Sequence, residues 1–144
     1  VRRIVTGHDA SGKAIVLQDA PATVQKFPNE HASSTLMWIT RETPTDFSAD
    51  GDPTIGFSGT PPPVGGTRFA VMEIQPGANV PHMHRTDTVD YVICLAGEAT
   101  MYLDDAKVVM KTGDVMIQRG TNHGWTNEGT VATRIAFVLI DGEG

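Results

Sequence analysis

Apolar positions in this chain come in short, β-branched runs separated by clusters of Gly, Pro, Asn and Asp, the pattern of an all-β sandwich or barrel. Residues 3–6 and 13–18 flank a 7–12 segment whose Gly, Asp and Ser content suits a hairpin connection. The pattern predicts further strands at 23–27 and 34–40. After residue 67 they follow quickly: 67–74, a strand carrying His82 and His84, then 89–95, 98–103, 106–110, 114–117 and a long one at 131–140. Alternation puts Thr88, Asp90, Val92 and Cys94 on one face of their strand and Val89, Tyr91, Ile93 and Leu95 on the other. No stretch has the 3.6-residue period of a long amphipathic helix.

Residues 41–66 break the pattern with five prolines and five glycines. So long an aperiodic stretch inside a compact domain reads as a lid, a subunit-contact arm or a disordered loop. The expected organisation is a single domain. Residues 1–66 form an N-terminal strand arm and a Pro/Gly-rich loop, and residues 67–144 form the barrel core.

Composition narrows the function. At 144 residues, with 40% hydrophobic and 19% charged positions, the chain has enough apolar material for one buried core. A formal net charge of −6 and the lack of any basic run argue against nucleic acid or an anionic membrane surface as partner. No apolar run approaches the roughly 20 residues of a membrane span, and no signal-peptide hydrophobic region is visible, so the cytoplasm is the expected compartment. The single cysteine, Cys94, excludes an intrachain disulfide framework and, lying in an apolar run, reads as a packed thiol.

Histidine spacing carries the chemistry. His82 and His84 are separated by one residue, so on a strand both imidazoles aim into one space while Met83 faces away. His123, delivered by the turn at 119–122, supplies a third nitrogen from a separate strand. Three neutral imidazoles with open coordination positions describe a catalytic rather than a closed structural metal site, and suit iron, zinc, manganese or nickel. Asp90, on the same face as Val92 and Cys94, needs a cation or several donors if that face is interior. His8 and His31 lie in polar stretches and read as surface residues.

Around these residues the sequence resembles the cupin superfamily, small jelly-roll barrels that hold a metal between two motifs. Gly77, His82, His84, Asp90 and Gly97 fill the first motif; Gly113, Gly120, His123 and Asn127 fill the second. The chain departs from the family in four ways. Both spacers are a residue short, the step from His84 to the acid is longer, Asp90 stands where the family has Glu, and Gln118 stands near the expected proline. The resemblance implies one divalent transition metal per chain held by His82, His84, Asp90 and His123. It also implies a homodimer paired through exchanged N-terminal strands.

The expected function is a metal-dependent enzyme acting on a small oxygenated organic molecule. Lewis-acid lyase or isomerase chemistry (decarboxylation, dehydration or proton shift) leads, and a non-haem iron dioxygenase and a non-catalytic ligand-binding barrel are the alternatives. Asp90 and Tyr102 are candidate proton carriers, alongside Tyr91. Trp125, two residues beyond His123, is a candidate pocket wall. Arg68 and Arg134 interrupt apolar strand patterns, and either guanidinium could fork onto a substrate carboxylate. Asn127 reads as the holder of a turn.

Overall fold

The computed structural model describes residues 1–144, which form eleven strands and no helix. In chain order these are β1 (Arg2–His8), β2 (Ala14–Pro21), β3 (Gln25–Asn29), β4 (Ala32–Thr40), β5 (Thr67–Ile74) and β6 (Thr88–Ala96). They continue with β7 (Glu98–Tyr102), β8 (Lys107–Lys111), β9 (Val115–Arg119), β10 (Gly124–Thr126) and β11 (Thr133–Asp141). An antiparallel six-stranded sheet in the order β3-β4-β5-β11-β6-β9 faces a three-stranded sheet, β10-β7-β8, and the β1–β2 hairpin stands apart as its own sheet. This is a jelly-roll barrel. The N-terminal region divides: β1 and β2 remain outside, whereas β3 and β4 enter the main sheet beside β5.

Alternation explains how the layers pack. Along β6 the odd-numbered residues are exposed, while Thr88, Asp90, Val92 and Cys94 are buried. Val92, Cys94, Ile74 and Ile135 from the large sheet meet Ala99 and Met110 from the small one, with Met116, Trp125 and Phe137 packed alongside. Burying such a face is the main stabilising term of a two-sheet fold. A second apolar group, Leu36, Ile39 and Ala70 with Val24, Phe57 and Phe137, fills the β3–β5 side. The turn between β6 and β7 requires Gly97: its φ is +69°, and a Cβ there would lie 2.6 Å from the Ala132 carbonyl oxygen.

The 41–66 segment lies over the β3–β5 side and is tied down by polar contacts. Arg3 pairs with Asp52 at 2.5 Å, the Gly65 amide donates to Asp141, and Lys26 donates to the carbonyls of Ser58 and Gly59. No helix is long and apolar enough to cross a membrane.

Candidate metal centre

His82 and His84 do not lie on a regular strand. The chain from Gly77 to Asp87 is irregular, and only His84 pairs, through one antiparallel bridge to His123. That bridge is closed by two backbone hydrogen bonds of 2.9 Å, His84 amide to His123 carbonyl and the reverse. Partners in such a bridge share a face, and the two imidazole centroids stand 4.5 Å apart. His82 lies further out, its ring 6.3 Å from that of His84. His82 and His84 are exposed and His123 is buried. Gly124 makes the approach possible. A Cβ at that position would sit 2.9 Å from Pro81 Cβ and 3.1 Å from the His82 carbonyl oxygen, so the segment carrying the histidines passes directly over it.

Hydrogen bonds set the tautomers. His123 Nδ1 lies 2.8 Å from the Thr121 carbonyl and His84 Nδ1 lies 3.1 Å from the His82 carbonyl. A carbonyl oxygen only accepts, so each Nδ1 carries the proton and each Nε2 a lone pair. The Gln118 amide nitrogen, 3.3 Å from His123 Nε2, only donates and so fixes the same tautomer from the other side. Burial lowers the pKa of His123. The Thr121 carbonyl opposes this shift, His84 adds to it and Asp90 opposes it, and the ring is neutral near pH 7.

Asp90 is buried on the lumen face together with Thr88, Val92 and Cys94, the four that alternation groups, but both its oxygens are engaged. Thr88 Oγ1 donates to Oδ1 and Gln118 Nε2 to Oδ2, each at 2.6 Å. The carboxylate therefore stands one hydrogen-bonded group from His123 Nε2, on the side of the ring from which a metal would be ligated. Gln118, noticed in the sequence only as a missing proline, is the residue that joins them. Its pairing with Asp90 in the β6–β9 register is the signal that could have found it. Its Oε1 is buried with no hydrogen-bond donor.

As the side chains stand, no three His, Cys, Asp or Glu groups converge closely enough to enclose an ion, so the expected four-residue ligand set is not assembled. The donor chemistry nevertheless fits a metal. His84, with Nδ1 anchored on a carbonyl, presents Nε2 as metal-ligating histidines do, whereas His123 Nε2 accepts from the Gln118 amide, which must turn away before that nitrogen can ligate; the buried Gln118 Oε1 beside it has no donor.

The remaining candidates separate. Trp125 packs against the main core cluster, inside the barrel. The structure does not bring Tyr102 to the histidines. Trp125 on β10 lies two residues beyond His123 and pairs with Met101, whereas Tyr102 pairs with Gly124, one residue out of step with that face. Its hydroxyl donates to Glu128 at 2.6 Å, and its ring lies 5.7 Å from the Lys107 ammonium. Tyr91 is exposed on the outer side of β6. Arg134 does not line the lumen either. Alternation along β11 buries Thr133 and Ile135 and turns Arg134 outward, where it pairs with Glu73 at 3.1 Å on the surface. Arg68 does face inward: it is 3% exposed, stands over Phe137 at 5.6 Å and lines a cavity of about 80 Å³. Asn127 is fully buried and holds a turn, donating to the Ile74 and Val131 carbonyls and accepting from the Gly129 amide.

Residues 70–140 match the family model described as a cupin domain. "Phomopsin biosynthesis cluster protein C'" of Diaporthe leptostromiformis is 33% identical over 96% of this chain and 77% of its own length. The "Cupin-domain-containing oxidoreductase virC" of Hypocrea virens is also 33% identical, over 96% of this chain and 75% of its own. This chain is a cupin. Solved structures bear out the fold of this cupin at low sequence identity. The Schizosaccharomyces pombe Cnp3 cupin domain aligns with TM-score 0.59 and 14% identity, covering 97% of this chain and 87% of that one. An RmlC-like cupin from Shewanella frigidimarina aligns with TM-score 0.58 and 11% identity, covering 83% and 85%.

Proposed function

We propose that this cupin is a metal-dependent enzyme acting on a small oxygenated organic molecule admitted to the lumen beside His84 and His123. The observation that carries the reading is the pair of carbonyl-anchored imidazoles beside the donorless oxygen of Gln118. One divalent transition metal per chain, held by His82, His84 and His123, would supply a Lewis-acid centre or, as iron, a partner for dioxygen.

The chain's own residues prepare that site. Thr88 and Gln118 fix the Asp90 carboxylate, and Gln118 in turn fixes the ring of His123. Burial keeps that ring neutral and able to ligate. Trp125 and the core behind it exclude water from the closed side of the lumen. Relatives at 31–33% identity are named oxidoreductases, which favours the oxygen-dependent course over lyase or isomerase chemistry. The same reading takes the working unit to be a homodimer.

The test is elemental analysis of untagged protein purified without added metal, beside His84→Ala and His123→Ala, with oxygen uptake measured on the same samples. Near-stoichiometric iron in the wild type, lost in both variants, together with oxygen consumption, is the expected result. Zinc, manganese or nickel would move the chemistry to the lyase or isomerase course. No metal after reconstitution would overturn the proposal and leave a ligand-binding barrel.

A further inference from the structure

Arg68 is a buried cation without a partner. Its Nε has no acceptor, and its guanidinium belongs to none of the ion pairs of the chain. Phe137 beneath it offers the face of a ring, which offsets only part of the cost of an unpaired buried charge. The cavity it lines is bounded by Lys26 and Ser34 on the adjoining strands and roofed by Phe57 and Ser58 from the 41–66 segment. Ser34 Oγ is likewise buried without a partner. No carboxylate lines this space, and Arg68 lies close enough to Lys26 to lower its pKa, second to the effect of burial. The Arg68 guanidinium and the Ser34 hydroxyl have nothing to receive their protons, and Lys26, whose ammonium donates to the Ser58 and Gly59 carbonyls and to Thr60, adds a second positive charge that no carboxylate balances.

We infer that this cavity is a carboxylate-binding site, with the guanidinium of Arg68 forking onto the anion, Ser34 donating to it and Lys26 adding positive charge from the rim. Arginine matches the planar two-oxygen geometry of a carboxylate. The volume, about 80 Å³, is some two to three times the ~30 Å³ share of a water in the liquid, the size of a carboxylate head group and its first carbons.

Arg68 shares the inner face of the large sheet with Asp90 and Gln118. Arg68 pairs with Leu139, Leu139 with Asp90, and Asp90 with Gln118, so one row across β5, β11, β6 and β9 carries the anion clamp at one end and the partners of His123 at the other. Two strand spacings, roughly 10 Å, separate Arg68 from Asp90 along that row. That the anion is the carboxylate of the substrate rests on the function proposed above; that it binds at Arg68 does not.

The experiment titrates wild-type protein with acetate, following the Arg68 Nε–H resonance by ¹⁵N NMR and the affinity by calorimetry, with inorganic phosphate as a second arm. Acetate should saturate and shift that resonance. Arg68→Met should bind at least about tenfold more weakly while melting at or above the wild-type temperature, because an unpaired buried charge has been replaced by a similar apolar volume. Arg68→Lys should fall between them, and Lys26→Gln, a milder change at a partly exposed position, should also weaken binding. His84→Ala should bind acetate as the wild type does, so failure of the metal centre and failure of the anion site give different results. Absence of saturation in the wild type, or equal affinity in Arg68→Met and Lys26→Gln, would overturn the inference. Phosphate binding tighter than acetate by about tenfold would overturn the carboxylate assignment.

Discussion

Gly124 shows how little separates a formed site from an unformed one. Alanine there adds a methyl group 2.9 Å from the rigid Pro81 ring, which has no side-chain torsion with which to yield. The backbone of residues 81–84 must move instead, and with it the bridge between His84 and His123. Overpacking of this kind costs about 1–3 kcal/mol. Gly124→Ala is expected to accelerate amide hydrogen exchange at His84 and His123 by about tenfold or more, with little change in the β5–β11 ladder. Unchanged exchange at those two amides would show that the bridge does not depend on the glycine. The histidines themselves were legible from their spacing. Gly124 was not, because its importance comes from a chain segment forty residues away in sequence whose path no local pattern specifies. Alternation alone groups Asp90 with Thr88, Val92 and Cys94, whereas the choice of that face as the interior and the carboxylate's partners, Thr88 and Gln118, come from the packed sheets and the β6–β9 register.

At the scale of elements, strands with strict alternation were readable and irregular segments were not. β5 falls at the expected residues, and the two faces of β6 divide as expected. The His82–His84 segment shares the apolar–polar look of a strand but has a neighbour at only one residue, so it forms a bridge instead. Arg134 lies outward by plain alternation between the buried Thr133 and Ile135, and the expectation of a pocket role rested on its charge alone. The 41–66 segment has no periodicity to read, yet it is anchored, and its chief anchor titrates. Burial raises the pKa of Asp52, but hydrogen bonds from Arg3 and Thr54 outweigh that effect and bring its carboxyl from 3.8 down to about 2. A folded-state value below the unfolded one stabilises the protein above the unfolded pKa, and that contribution disappears as pH falls through the folded value. That lowering corresponds to roughly 2 kcal/mol. Denaturant titrations should therefore show wild-type stability falling between pH 4 and pH 2 more steeply than that of Asp52→Asn, with the two curves converging at the acid end. Parallel curves would place the tie between arm and loop elsewhere.

For the whole molecule, the outer face of the large sheet bears on the proposed homodimer. The residues of β6 that alternation sends outward are Val89, Tyr91, Ile93 and Leu95, and their neighbours on β9 are Val115 and Ile117. Tyr91 remains 48% exposed and Ile117 55%, and the row extends through Val138 to Phe69 on β5. A contiguous apolar sheet face is unusual on a monomer and is what an interface between copies would cover. The β1–β2 hairpin adds Ile4 and Val16, also exposed, on a sheet that pairs with no other strand of its own chain. Exchange of that hairpin between copies would place apolar surface against apolar surface. Sedimentation velocity at micromolar concentration is expected to give a dimer for the wild type. Tyr91→Glu combined with Ile117→Lys, both on the outward face and remote from the core, should give a folded monomer with an unchanged circular dichroism spectrum. A wild-type monomer would exclude the dimer. A dimer that survives the double substitution but dissociates when residues 1–21 are removed would assign the contact to the hairpin alone and leave the β6–β9 face to another role.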